Sequence, residues 1–195
     1  MDAVRQNGRL PVGRMDMQYA FLEQMLINSI KEVQIKLGYE KEAIRFYYPE
    51  KALFKIVKIS GESKEETKAF MEGFKEYAKD KLGTVKITKS QGRFCFEVPA
   101  EGVEYVSNNV EDNGFLREFI QTVENPHATL DDILSVFGRF SDGRIICEKS
   151  AEEECDYIIF FEDASFDCYR YYLKFHENHV TYHRFLLEEA MEMGL

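Results

Sequence analysis

The chain has no tryptophan and only 4 prolines among its 195 residues, so neither a Trp-anchored core nor a proline-rich, extended segment is in prospect. No apolar run approaches the roughly 18 residues that a membrane-spanning helix needs, which predicts no spanning helix. The first fourteen residues carry Arg5, Arg9 and Arg14 without an apolar core, unlike a secretory leader. The 4 cysteines (Cys95, Cys147, Cys155, Cys168) form no C-x-x-C pair or zinc-ribbon spacing. Thiols in apolar strand contexts and no export signal point to a cytosolic protein that needs no disulfide. There is no phosphate-cradling G-x-x-x-x-G-K-[ST], no G-x-G-x-x-G after a strand and no G-x-S-x-G elbow. Gly138–Gly143 (GRFSDG) is one residue too long for that elbow and reads as a helix exit. No cofactor is implied.

Aromatics other than tryptophan are abundant, with 16 Phe and 11 Tyr, and 45% of the residues are hydrophobic against 31% charged. That is the balance of a globular chain that can bury its own core. The net charge of −10 is unevenly distributed. Met1–Phe96 carries 18 basic and 13 acidic side chains, net +5. The acidic region 97–163, from Glu97 to Asp163, carries 4 and 17, net −13. Such a field orients a basic protein partner. Nucleic acid is not expected, because the lysines of the first half are interleaved with glutamates rather than gathered on one face.

Residues 1–14 hold Gly8, Pro11 and Gly13 and read as a flexible arm ahead of one α+β domain, 15–195. Leu22, Leu26, Ile30, Val33 and Leu37 recur at helical spacing and predict a helix over 16–37, stopped by Gly38. Ala43–Tyr48 alternates as a strand, and Pro49 then opens a short helix. Ser63 with Glu66 three residues on marks the start of a second strong helix, closed by Gly83. A hairpin over 84–89 and 93–98 follows. Three helices come next, from Pro99, from Phe115 and from the Thr129 cap to Gly138.

The last third is strand-rich: 144–148, a continuous apolar run 156–161 expected to be covered on both faces, then 168–175 and 179–185 paired across Glu177-Asn178. A terminal helix is expected over 186–193. Helices followed by strands in blocks indicate α+β, with several helices packed on a mainly antiparallel sheet.

Three of the 4 histidines lie in His176–His183 (HENHVTYH). The zinc-protease motif needs histidines four apart on a helix, whereas His176 and His179 are three apart at a strand turn. A two-residue turn instead puts His176 opposite His179, Lys174 opposite Thr181 and Tyr172 opposite His183, all on one side. Leu173, Phe175, Val180 and Tyr182 form the other, apolar side. Opposed Cβ atoms about 5 Å apart would let His176 and His179 share a metal, which makes them weak metal candidates. His183 lies about 13 Å farther along, and the acidic cluster Glu162, Asp163 and Asp167 roughly 26 Å away. The candidate ligand-contacting residues are therefore His176, His179, His183 and Tyr172. A Cys168–His183 nucleophilic pair is rejected because the surroundings are acidic.

Asp156–Asp163 (DYIIFFED), Cys168–Phe175 (CYRYYLKF) and His179–Phe185 (HVTYHRF) carry a resemblance, joined by Ile44–Pro49 (IRFYYP) and Thr129–Leu134 (TLDDIL). Together they resemble an uncharacterised bacterial family catalogued as a domain of unknown function. The resemblance covers most of the chain, rests on aromatic strand patterns, and carries over no activity or site. The function read from the residues is a non-enzymatic protein-interaction or regulatory module. The alternatives are a metal- or histidine-dependent hydrolase and a small-molecule binding domain. Oligomeric state is not legible.

Overall fold

The computed structural model describes residues 12–59, 63–111, 114–163 and 167–186. In chain order the elements are α1 (Val12–Leu37), β1 (Ile44–Pro49), α2 (Glu50–Val57), α3 (Lys64–Leu82), β2 (Lys86–Ser90), β3 (Arg93–Val98) and α4 (Ala100–Asn109). Then come α5 (Phe115–Val123), α6 (Leu130–Phe140), β4 (Ile145–Lys149), β5 (Tyr157–Phe161), β6 (Arg170–Phe175) and β7 (Val180–Phe185). The fold is α+β, and its strands form two antiparallel sheets, ordered β1-β3-β2 and β4-β5-β6-β7, rather than the one expected.

The first sheet follows simple alternation. Phe94, Phe96 and Val98 of β3 are buried, and Phe74 of α3 meets Phe96 edge-on at 6.1 Å. On the opposite face, Glu97 accepts from Arg45 at 2.6 Å and Lys86 at 3.0 Å, linking all three strands. The β2–β3 turn is Gln91-Gly92, both with positive φ, as a two-residue hairpin of this twist requires. Ser63 Oγ accepts from the Glu66 amide to begin α3, and Gly83 ends it. α4 then crosses so closely that a Cβ on Gly102 would lie 2.2 Å from the Leu82 carbonyl oxygen.

Under the second sheet, α5 and α6 supply Phe115, Phe119 and Phe137, which pack their rings on Phe161 and Tyr171. The Thr129 cap of α6 is a reciprocal box with Asp132. One buried cluster runs through α1 (Leu26, Ile30), the first sheet (Phe96) and the second (Ile159, Tyr171). α1 touches both groups of elements, through α3 and α4 on one side and α5 on the other.

Several expectations are corrected. α1 begins at Val12, inside the stretch read as an arm; residues 1–11 lie outside the described set. α6 runs past Gly138 to Phe140, because that glycine sits in ordinary helix with nothing nearer to a Cβ than Ile145 at 3.9 Å. β5 is an interior strand, but only Ile159 and Phe161 are buried; Ile158 and Phe160 on its other face are half-buried. Of the expected terminal helix, 187–193 lie outside the described residues.

Candidate functional site

The β6–β7 hairpin has the register that its two-residue turn dictates: Tyr172 opposes His183 and Lys174 opposes Thr181. The His176 amide donates to the His179 carbonyl at 2.9 Å, so the two imidazoles flank the turn. Their rings stack with centroids 4.3 Å apart and an 11° interplanar angle, both exposed. An imidazole nitrogen offers its lone pair in the ring plane, and near-parallel planes do not meet at one ion. This arrangement is therefore a stacked pair, with His176 also 3.2 Å from the Thr181 hydroxyl, rather than a chelate. His183 is four positions away on β7 and stacks on Phe185. Among the described residues, no three His, Cys, Asp or Glu side chains converge to hold a metal.

All four candidates nevertheless share one surface, the face of the second sheet turned away from α5 and α6. Successive pairings set Glu148, Ile158, Tyr172 and His183 in one row across the four strands. Beside it, Ile146 pairs with Phe160, whose ring lies 4.1 Å beneath the Arg170 guanidinium, and Arg170 pairs with Phe185. Apolar side chains facing outward on adjacent strands are unusual for an antiparallel sheet with one helix-covered face.

The β4–β5 loop caps this surface. Its buried Cys155 packs on Tyr172, Ile158 and Phe185 and donates its thiol to the Tyr157 carbonyl at 3.2 Å. The loop is closed by Ser150 N–H to the Asp156 carbonyl and by Glu152 N–H to Ser150 Oγ. Glu152, Glu153 and Glu154 are consequently held outward and exposed, and among the described residues neither they nor Glu148 has an ion pair. Asp156 differs: the Phe175 amide and Lys174 donate to it and hold its carboxyl below the usual range.

The opposite face of the hairpin carries what the sequence reading missed. Arg184 shares a strand face with Tyr182 and Val180 and so points inward, where its side chain is 5% exposed. Its Nε donates to Glu32 of α1 at 2.5 Å and its Nη2 to the Asn28 carbonyl at 2.9 Å. The Tyr182 hydroxyl (2.9 Å) and Lys36 (2.7 Å) donate to the other Glu32 oxygen. Burial raises the Glu32 pKa, but Arg184 and Lys36 outweigh it and hold the group below its usual value.

Asp167, grouped above with the surface acids Glu162 and Asp163, is instead a partly buried acceptor for the Tyr171 hydroxyl and the Tyr169 amide. Burial raises its pKa against the pull of those bonds and of Arg184. The available signal was an arginine on the core side of an alternating strand, which demands a buried partner.

A polar groove of 560 Å³ lies between α5 and α6. Its Arg139 is occupied by Glu118 at 2.6 Å and Ser135 at 3.2 Å. No described helix is long and apolar enough to cross a membrane. Comparison with curated proteins and with solved structures finds no match. A family described as "Domain of unknown function, E. rectale Gene description" (DUF3877) matches residues 19–193, and the chain belongs to that family.

Proposed function

We propose that the protein is an interaction module of the bacterial cytosol whose β4–β7 outer face docks a partner with basic side chains around an apolar contact. The observation that carries this reading is the Glu148 and Glu152–Glu154 carboxylates, without ion pairs among the described residues, beside the outward, half-buried Ile158, Phe160 and Phe185. Aromatic and arginine side chains supply contact energy at protein interfaces, and unneutralised charge steers the complementary partner. The net −13 of region 97–163 adds long-range attraction for the same partner. Cys95, Cys147 and Cys155 are free thiols, which suits a reducing compartment. The stacked His176–His179 pair gives no support to a metal-dependent hydrolase.

The test captures partners on the full chain in extract of its own cells, then titrates the purified pair. The partner's affinity is expected to fall with salt, and by about tenfold or more in the Glu152→Lys/Glu153→Lys/Glu154→Lys variant. Equal affinity for the charge-reversed variant, or purification of the chain without companions, contradicts the reading.

A further inference from the structure

On the other sheet, a cleft of 460 Å³ opens between α3 and the β2–β3 hairpin. Its floor is Met71, Ile87 and Phe94, and its rim includes Thr88 and Thr67, whose hydroxyl donates to the Ser63 carbonyl at 3.0 Å. Four lysines line it. Lys75 is paired with Glu72 at 2.8 Å and Lys89 with Glu50, so those two are neutralised. Among the described residues, no carboxylate forms an ion pair with Lys64 or Lys68.

The contrast along α3 is informative. Lys75, Lys79 and Lys81 each reach a carboxylate, Glu72, Glu76 and Glu23 respectively. The two lysines left without one are one helical turn apart, on the same face, and both border the cleft. Lysine on an edge strand such as β2 guards against strand pairing, but that duty does not extend to a helix. In a chain of net charge −10, two unneutralised ammonium groups over an apolar floor form a local anion site.

We propose that this cleft binds an organic phosphate: a phosphate group held by Lys64 and Lys68, joined to an aromatic body seated on Met71, Ile87 and Phe94. Lysine meets phosphate as a point charge with rotatable donors. The volume falls in the range of small-ligand clefts, about 300–1,000 Å³. The site is separate from the acidic docking face, so its failure would leave that reading standing.

The experiment titrates the full chain with 1-naphthyl phosphate, 1-naphthol and inorganic phosphate, each followed calorimetrically. Saturable one-site binding of 1-naphthyl phosphate is expected, tighter than either half-probe. Lys64→Gln/Lys68→Gln should weaken it at least about tenfold, whereas Lys79→Gln, outside the cleft, should not. Both lysines are exposed, so matched melting curves are expected to show that the variants fold. The single variant Lys68→Gln should weaken binding less than the double variant. Overturning results are absence of saturation, unchanged affinity in the double lysine variant, or inorganic phosphate binding as tightly as the aryl phosphate.

Discussion

In the β1-β3-β2 sheet, Arg45, Lys86 and Glu97 meet on the solvent face while Phe94, Phe96 and Val98 face the helices. In the β4–β7 sheet the arrangement is partly inverted: Arg184 turns inward to Glu32, and Ile158, Phe160 and Phe185 turn outward. Both sheets are antiparallel with helices on one side, so topology does not account for the difference. The first sheet's charges stay in water, where each pair contributes little. The second sheet's arginine is desolvated, and its position is tenable only because Glu32, the Asn28 carbonyl and a tyrosine-rich lining meet it. An inward charge fixes where β7 sits on α1, and outward aromatics leave a face suited to a partner.

The largest effect that would break this comparison is expected from Arg184→Met. Leaving Glu32 without its buried partner should cost about 3–5 kcal/mol in urea unfolding. Arg45→Met on the first sheet should be indistinguishable from wild type in the same assay. A loss of similar size at both sites would erase the distinction.

Next come two glycines. Gly102→Ala forces a Cβ into the Leu82 backbone and should destabilise by about 1–3 kcal/mol. Gly138→Ala lies in open helix and should stabilise by about 0.5–1 kcal/mol. Thermal melts that reversed this order would contradict the close approach of α4 to α3.

The pH dependence separates the two carboxylates beside Arg184. The folded pKa of Glu32 is lowered, so its contribution is present above the ordinary glutamate value and lost as pH falls through the lowered folded value. The folded pKa of Asp167 is raised, so its contribution is full below the ordinary aspartate value and lost as pH rises through the raised folded value. Melting temperature against pH should therefore lose its acid-side decline in part with Glu32→Gln. Asp167→Asn should remove the opposing slope. Identical profiles for both variants would show that the two groups are not held as described. The smallest effect is expected at the hairpin tip, where His176→Ala/His179→Ala should change stability by no more than about 0.5 kcal/mol.

Much of this geometry was legible in the residues. Asn178 in a two-residue turn fixed the β6–β7 register, and with it the row of Tyr172 and His183. Apolar spacing located α1, α3 and α5, and Thr129 with Asp132 located the start of α6. The rest depended on partners remote in sequence. Local alternation places Arg184 on the core side but says nothing of Glu32, 152 residues earlier. The same limit hid the separation into two sheets, since β1 returns to β3 and not to the C-terminal strands. Asp167 follows two surface acids, and only the tertiary fold buries it against Tyr171. The outward Ile158 and Phe160 belong to a run that reads equally well as a strand buried on both faces.

The account turns most directly on a double-mutant cycle between Arg184 and Glu32, using Arg184→Met, Glu32→Leu and the pair, each measured by urea unfolding. A buried pair that ties β7 to α1 predicts a coupling of about 2–3 kcal/mol, with the double variant more stable than Arg184→Met alone. A coupling below about 0.5 kcal/mol would mean that the two residues act independently, and would contradict an inward charge as the anchor of the second sheet.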